Sequence, residues 1–174
     1  MPAAAGPQPT LARRRCLAAA WLAVPLAGCG FALRQAPALR FRTIQLAGFK
    51  PRSPLADELR SNINASTTTL VVEGIAQAEV VLEALEDSRE KVVVGSNSVG
   101  QVTEFRLRER FAFRLRNAGG RELIARTELL QNRDLSYTES AALAKEHEEA
   151  FLFRTMQNDI VAQVLRRLGA VQSF

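Results

Sequence analysis

One imidazole and two thiols are all the soft-ligand chemistry in these 174 residues: His147, Cys16 and Cys29. A structural zinc site takes four nitrogen or sulfur ligands and a catalytic one three, and a Ser/His/Asp or Cys/His nucleophile needs an imidazole set between nucleophile and orienting group. His147 stands in Lys145-Glu146-His147-Glu148-Glu149, which reads as a solvated helix face. The remaining carboxylates fall on strand faces shared with arginines or at a helix start, so no acid/base pair stands out. The sequence therefore predicts no catalysis, no metal and no cofactor. Its densest chemistry is cationic. Arg106, Arg108, Arg110, Arg114 and Arg116 hold even positions of a run whose odd positions are Phe105, Leu107, Phe111, Phe113 and Leu115; Glu109 and Ala112 break the alternation. A row of guanidinium forks on one face of a strand suits carboxylate or phosphate oxygens.

A second chemical signal lies near the start. Arg13, Arg14 and Arg15 precede the 12-residue, mostly apolar run Cys16 to Ala27, which has the layout of a secretory signal and falls short of the ~20 residues a spanning helix needs. It ends in Leu26-Ala27-Gly28-Cys29, which resembles the lipobox of bacterial lipoproteins. On that resemblance Cys29 is the expected lipidation site and the first residue of the mature chain, carrying palmitate-like acyl chains. Each buried methylene contributes ~0.8 kcal/mol, and several chains together anchor stably. Gly30, not Asp, follows, as in lipoproteins sorted to the outer membrane. Cys16 leaves with the leader, so no disulfide forms within the mature chain. The leader also carries much of the charge: 23 Lys and Arg against 18 Asp and Glu become 20 against 18 without it. A net of +2 gives no reason to expect nucleic-acid binding.

Several elements must position the arginine row. We divide the chain into a signal peptide (1–28), an acylated tether (29–39), one domain (40–169) and a short tail (170–174). Residues 41–47 alternate as a first strand ending at Gly48. Ser53-Pro54 gives an N-cap and a first-turn proline, and Leu55, Leu59 and Ile63 recur every fourth residue, predicting a helix over about 54–64. Thr67, Thr68, Thr69, Val71 and Val72 form a short extended piece. Ala78, Val80, Leu82 and Ala84 line one face of a longer strand running toward Val94. Gly95-Ser96-Asn97-Ser98-Val99-Gly100 turns it into the antiparallel arginine strand, and Ala118-Gly119-Gly120 makes a second hairpin.

Leu123, Ala125, Thr127 and Leu129 must share the core face of the phenylalanines, which demands an odd loop. Three residues place Arg116 opposite Glu122 and Arg110 opposite Glu128. The row then has two readings. One is a solvated face with weak cross-strand pairs; the other is an anion-binding surface on the unpartnered Arg106, Arg108 and Arg114. From Ser140, Phe153, Met156, Ile160, Val164 and Leu168 mark a helix of ~28 residues with Gly169 at its stop. The order β-α-β-β-β-α predicts an α+β two-layer sandwich: a mainly antiparallel four-stranded sheet with two helices on one face.

Gly28-Cys29-Gly30-Phe31 with Leu33-Arg34, Thr103-Glu104-Phe105 opening the arginine strand, and Leu143-Ala144-Lys145 with Glu148 before the last helix together resemble the lipopolysaccharide-assembly lipoprotein family LptE. The resemblance covers nearly all of the mature chain. It implies an outer-membrane lipoprotein on the periplasmic side that plugs the lumen of the β-barrel LptD in a one-to-one complex, binds lipopolysaccharide and assists its placement in the outer leaflet. It also implies basic contact residues at one end of the domain. Lys145 matches one of them. The turn Asn97-Ser98-Val99-Gly100 lacks the other, for which Arg106 is the substitute candidate, with Arg108 and Arg114 beyond it. The competing expectation is a generic periplasm-facing scaffold or anion-binding module.

Overall fold

The computed structural model describes residues 38–66 and 68–172. Cys29 and the leader lie outside them. The chain runs β1 (Thr43–Ala47), α1 (Pro54–Asn64), β2 (Leu70–Val72), a 3-10 turn (Ile75–Gln77), β3 (Val80–Ser96), β4 (Val102–Asn117), β5 (Glu122–Ser136), a second 3-10 turn (Glu139–Ala141) and α2 (Ala142–Gly169). Ser53 caps α1, its hydroxyl accepting from Ala56 N–H at 3.2 Å, with Pro54 following. Leu55, Leu59 and Ile63 bury the predicted stripe. In α2 the stripe is wider than expected, because Gln157, Val161 and Leu165 are buried beside Met156, Ile160, Val164 and Leu168. Gly169 is the last helical residue and not a left-handed stop; Ala170 closes the helix in a right-handed conformation.

The sheet has five strands in the order β2-β1-β3-β4-β5, not four, and it is mixed. The short extended piece supplies the extra strand: α1 carries the chain back so that β2 pairs parallel with β1. Thr69 fixes this edge, its buried hydroxyl donating to Phe41 C=O at 2.7 Å. β1 also pairs parallel with β3, while β3–β4 and β4–β5 are antiparallel hairpins as predicted.

Both helices cover one face. There Phe41, Ile44, Leu55, Leu59, Val80, Leu82, Phe111, Phe113 and Leu115 join the second half of α2 in the main core. A bulge falls just short of where that core stops. Ala84 faces Phe113 but Glu86 faces Ala112, so Leu85 is the extra residue. Below it the even residues of β3 face inward; above it Asp87, Arg89, Lys91 and Val93 stand opposite Phe111, Glu109, Leu107 and Phe105. Gly48 fits against the bulge, since a Cβ there would meet Ala84 C=O at 2.4 Å and its φ is +78°.

The second hairpin has the expected three-residue loop, with Asn117 N–H on Arg121 C=O at 2.9 Å and Gly120 at φ +87°. Arg116 pairs with Glu122 as predicted. Two irregularities between Phe113 and Arg116 then shift the register, so Arg110 faces Leu130 and Glu128 faces Ala112.

Candidate functional site

The uncovered sheet face carries the arginine row between two acidic columns. Arg106 holds Asp134 with both ends of its fork, Nε–Oδ1 2.7 Å and Nη2–Oδ2 3.1 Å. Arg108 lies 3.5 Å from Glu90 on β3, and Arg114 is 2.8 Å from Glu83, which also stands 3.7 Å from Arg116. Arg110 reaches Glu86 at 3.8 Å and, diagonally, Glu128 at 3.5 Å. The expectation of unpartnered Arg106, Arg108 and Arg114 is therefore wrong. That expectation carried the loop register straight along β5, where the observed shift brings Asp134 opposite Arg106, and it left out β3, which contributes Glu83, Glu86 and Glu90 from the other side. The hydrogen bond from Arg106, and then its charge, hold the Asp134 carboxyl below its ordinary range; the same bond and charge raise Arg106. A carboxylate so lowered adds stability at higher pH that is lost as pH falls through its folded value.

Lys145 stands in the first turn of α2 and ties it to the end of β5. Its Nζ donates to Ser136 Oγ at 3.0 Å and Glu148 Oε2 at 2.8 Å. Tyr137 N–H donates to Thr103 C=O at 2.8 Å, and its ring packs edge-on against Phe105 at 5.2 Å. Lys91 caps Phe105 at 4.3 Å and pairs with Glu149 at 2.5 Å. Arg106 sits opposite Asp134, two residues from Ser136, so the structure brings Arg106 and Lys145 to the same end of the sheet. Arg108 is one step further in. Arg114 lies toward the opposite end, opposite Glu83. The 97–100 turn at this end is closed by Asn97, whose Oδ1 accepts from Val99 N–H at 3.1 Å and Gln101 N–H at 2.9 Å.

Under the covered face lies a polar cluster that the sequence reading missed. Glu109 is fully buried and takes Arg89 Nε at 3.2 Å and Nη2 at 3.1 Å on its Oε1. Arg89 also donates to Gln157 Oε1, and Gln157 Nε2 donates to Pro54 C=O at 3.1 Å. Arg89 stacks over Phe153 at 5.5 Å. Glu109 Oε2 has no hydrogen-bond partner. Burial pushes the Glu109 carboxyl up, with Arg89 opposing. Its signal was visible: Glu109 is the one charged residue in the inward register of β4 between Phe105 and Leu115. A groove of about 710 Å³ runs beside the cluster, lined by Pro54, Glu58, Glu149, Phe153 and Arg154 among others. His147 is exposed on α2. Among the described residues no group of three His, Cys, Asp or Glu could hold a metal, and no helix is long and apolar enough to cross a membrane.

The family model LptE, described as lipopolysaccharide-assembly, matches residues 41–168. The solution structure of "uncharacterized lipoprotein B" from Nitrosomonas europaea is 33% identical, with a TM-score of 0.68 over 81% of this chain and 91% of that one. A minor lipoprotein from Acinetobacter baumannii (20% identity, TM-score 0.61, 76% and 94% covered) and rare lipoprotein B from Shewanella oneidensis (20%, 0.56, 73% and 90%) share the fold. No curated protein matches significantly. With the match running from two residues before β1 to the last buried turn of α2, this chain belongs to the LptE lipopolysaccharide-assembly family.

Proposed function

We propose that this chain is an outer-membrane lipoprotein, anchored through acyl chains on Cys29, that plugs the lumen of the β-barrel LptD in a one-to-one complex, binds lipopolysaccharide and assists its insertion into the outer leaflet. The family match carries this reading. The surface fits it: the uncovered sheet face opposes Arg106, Arg108, Arg110, Arg114 and Arg116 with Glu83, Glu86, Glu90, Glu128 and Asp134. Such a compensated, hydrated face suits a water-filled barrel interior and does not suit lipid.

Lipopolysaccharide contact is assigned to the end that gathers Lys145 and Arg106, with Arg108 and Arg114 as weaker contributors. Every one of these cations already has a carboxylate, so ligand phosphate binds by exchange, trading one charge-assisted bond for another. Such contacts position a ligand more than they add net affinity.

Affinity purification of the membrane-anchored protein tests the proposal. LptD is expected at equal stoichiometry, and Cys29→Ser is expected to lose membrane retention. Recovery with no outer-membrane barrel leaves the generic periplasm-facing scaffold as the surviving reading.

A further inference from the structure

β1 pairs with β3 only from Val80 to Glu83. Next along that side, the loop before α1 takes over, with Ser53 Oγ donating to Asp87 at 2.6 Å and Lys50 to Ser53 lining a small cleft with Asp87 and Arg89. Beyond Arg89 no described residue covers the outer edge of β3. There the sequence is Glu90-Lys91-Val92-Val93-Val94, and the three valines are 42, 49 and 42% exposed.

An uncovered edge offers a row of free backbone donors and acceptors, and proteins usually blunt it with charge, proline, a bulge or a cover. The other long edge shows the contrast. β5 exposes Arg126, Glu128, Asn132 and Asp134, has two register irregularities where it begins, and lies under α2. The β3 edge has no proline and keeps a regular register from Glu86 to Val93, between the Leu85 bulge and a second irregularity that begins at Val94. Its two charges are already matched, Glu90 by Arg108 and Lys91 by Glu149. No free charge remains to attract or orient a charged partner strand. Val92 stands on the uncovered face opposite Arg106, and Val93 on the helix face opposite Phe105, so an added strand meets apolar side chains on both faces.

We infer that Glu90–Val94 is a strand-addition site that takes an uncharged, extended segment of the barrel partner, an inference that rests on the proposed plug complex. Strand addition draws affinity from main-chain hydrogen bonds and selectivity from alternate side chains. The uncharged valine run supplies the selectivity here.

Amide hydrogen exchange on the full acylated chain, alone and copurified with LptD, tests it. Residues 90–94 are expected to exchange at least tenfold more slowly in the complex. Val92→Lys with Val94→Lys is expected to weaken the complex about tenfold at unchanged unfolding midpoint, whereas Leu130→Lys, on the uncovered face of β5, leaves it intact. A complex that forms with residues 90–94 unprotected overturns this inference and leaves the plug reading standing. Absence of any complex removes both. Protection that grows with concentration of the chain alone assigns the edge to a second copy and overturns the partner named here.

Discussion

The two halves of the sheet, divided at the Arg89–Glu109 pair, are built on different principles. The half nearer Val80 is shared by all five strands and closed by both helices over Phe41, Phe111, Phe113 and Leu115, all essentially inaccessible. The half nearer the 97–100 turn has three strands and the first part of α2. Its apolar cluster is small, with Leu107, Leu135 and Met156 buried and Phe105, Leu152 and Phe153 only partly so. The Glu109–Arg89–Gln157 cluster stands between the two. Stability is thus concentrated in one half, while Lys145, Arg106 and the open β3 edge are in the other. The groups proposed to exchange partners thus sit where local opening is least costly to the whole fold.

The largest effect that would sharpen this contrast is expected in the closed half. Phe111→Ala leaves a cavity between both helices and the sheet and is expected to cost about 3–5 kcal/mol by denaturant unfolding, against about 2–3 for Met156→Ala in the smaller cluster. Equal losses would mean that the two halves are one core. Next comes the boundary itself. Arg89→Ala strands Glu109 as an uncompensated buried charge and is expected to cost about 3 kcal/mol, at the low end for breaking a buried pair because Arg89 is itself one-third exposed. Adding Glu109→Gln should recover most of that loss.

The pH dependence has a definite sign. The folded Glu109 value lies above the ordinary 4.5, so the folded state takes up its proton first as pH falls. The burial cost is fully present above the raised value and is relieved on acidification toward 4.5. Wild type is therefore expected to gain stability relative to Glu109→Gln as pH drops through that window. A constant difference would place Glu109 in an ordinary environment.

The smallest expected stability change is in the open half. Lys145→Glu exchanges a pair with Glu148 for repulsion on a helix start and is expected to cost about 1 kcal/mol or less. Lipopolysaccharide binding is expected to fall. Binding equal to wild type rejects Lys145 as a contact.

Local chemistry made most of the fold readable. Ser53-Pro54 with apolar residues every fourth position located α1, and Gly120 in a three-residue loop located the second hairpin, because caps and left-handed turns act within a few residues. What escaped depended on partners distant in the chain. The piece ending in Val72 became a strand only because β1 offers it a parallel edge, and the Leu85 bulge follows from packing against Gly48. The acidic column of β3 needed the β3–β4 register, so the arginine row looked emptier than it is. Glu109 breaks the alternation, and its inward position is informative in itself: a charged group in an apolar register requires a buried counterion.

The parallel pairing of β1 with β3 also determines where the described chain enters the sheet. Arg42 N–H donates to Glu79 and Glu79 N–H to Thr43 C=O, so the described chain enters beside the first residue of β3. The 97–100 turn lies 17 residues of β3 away, a span of ~50 Å at strand rise, more than the ~30 Å depth of a bilayer's hydrocarbon layer. If Cys29 carries the proposed acyl anchor and the turn end takes the proposed ligand, the meander is a rigid spacer that fixes the reach from the chain's entry to that end.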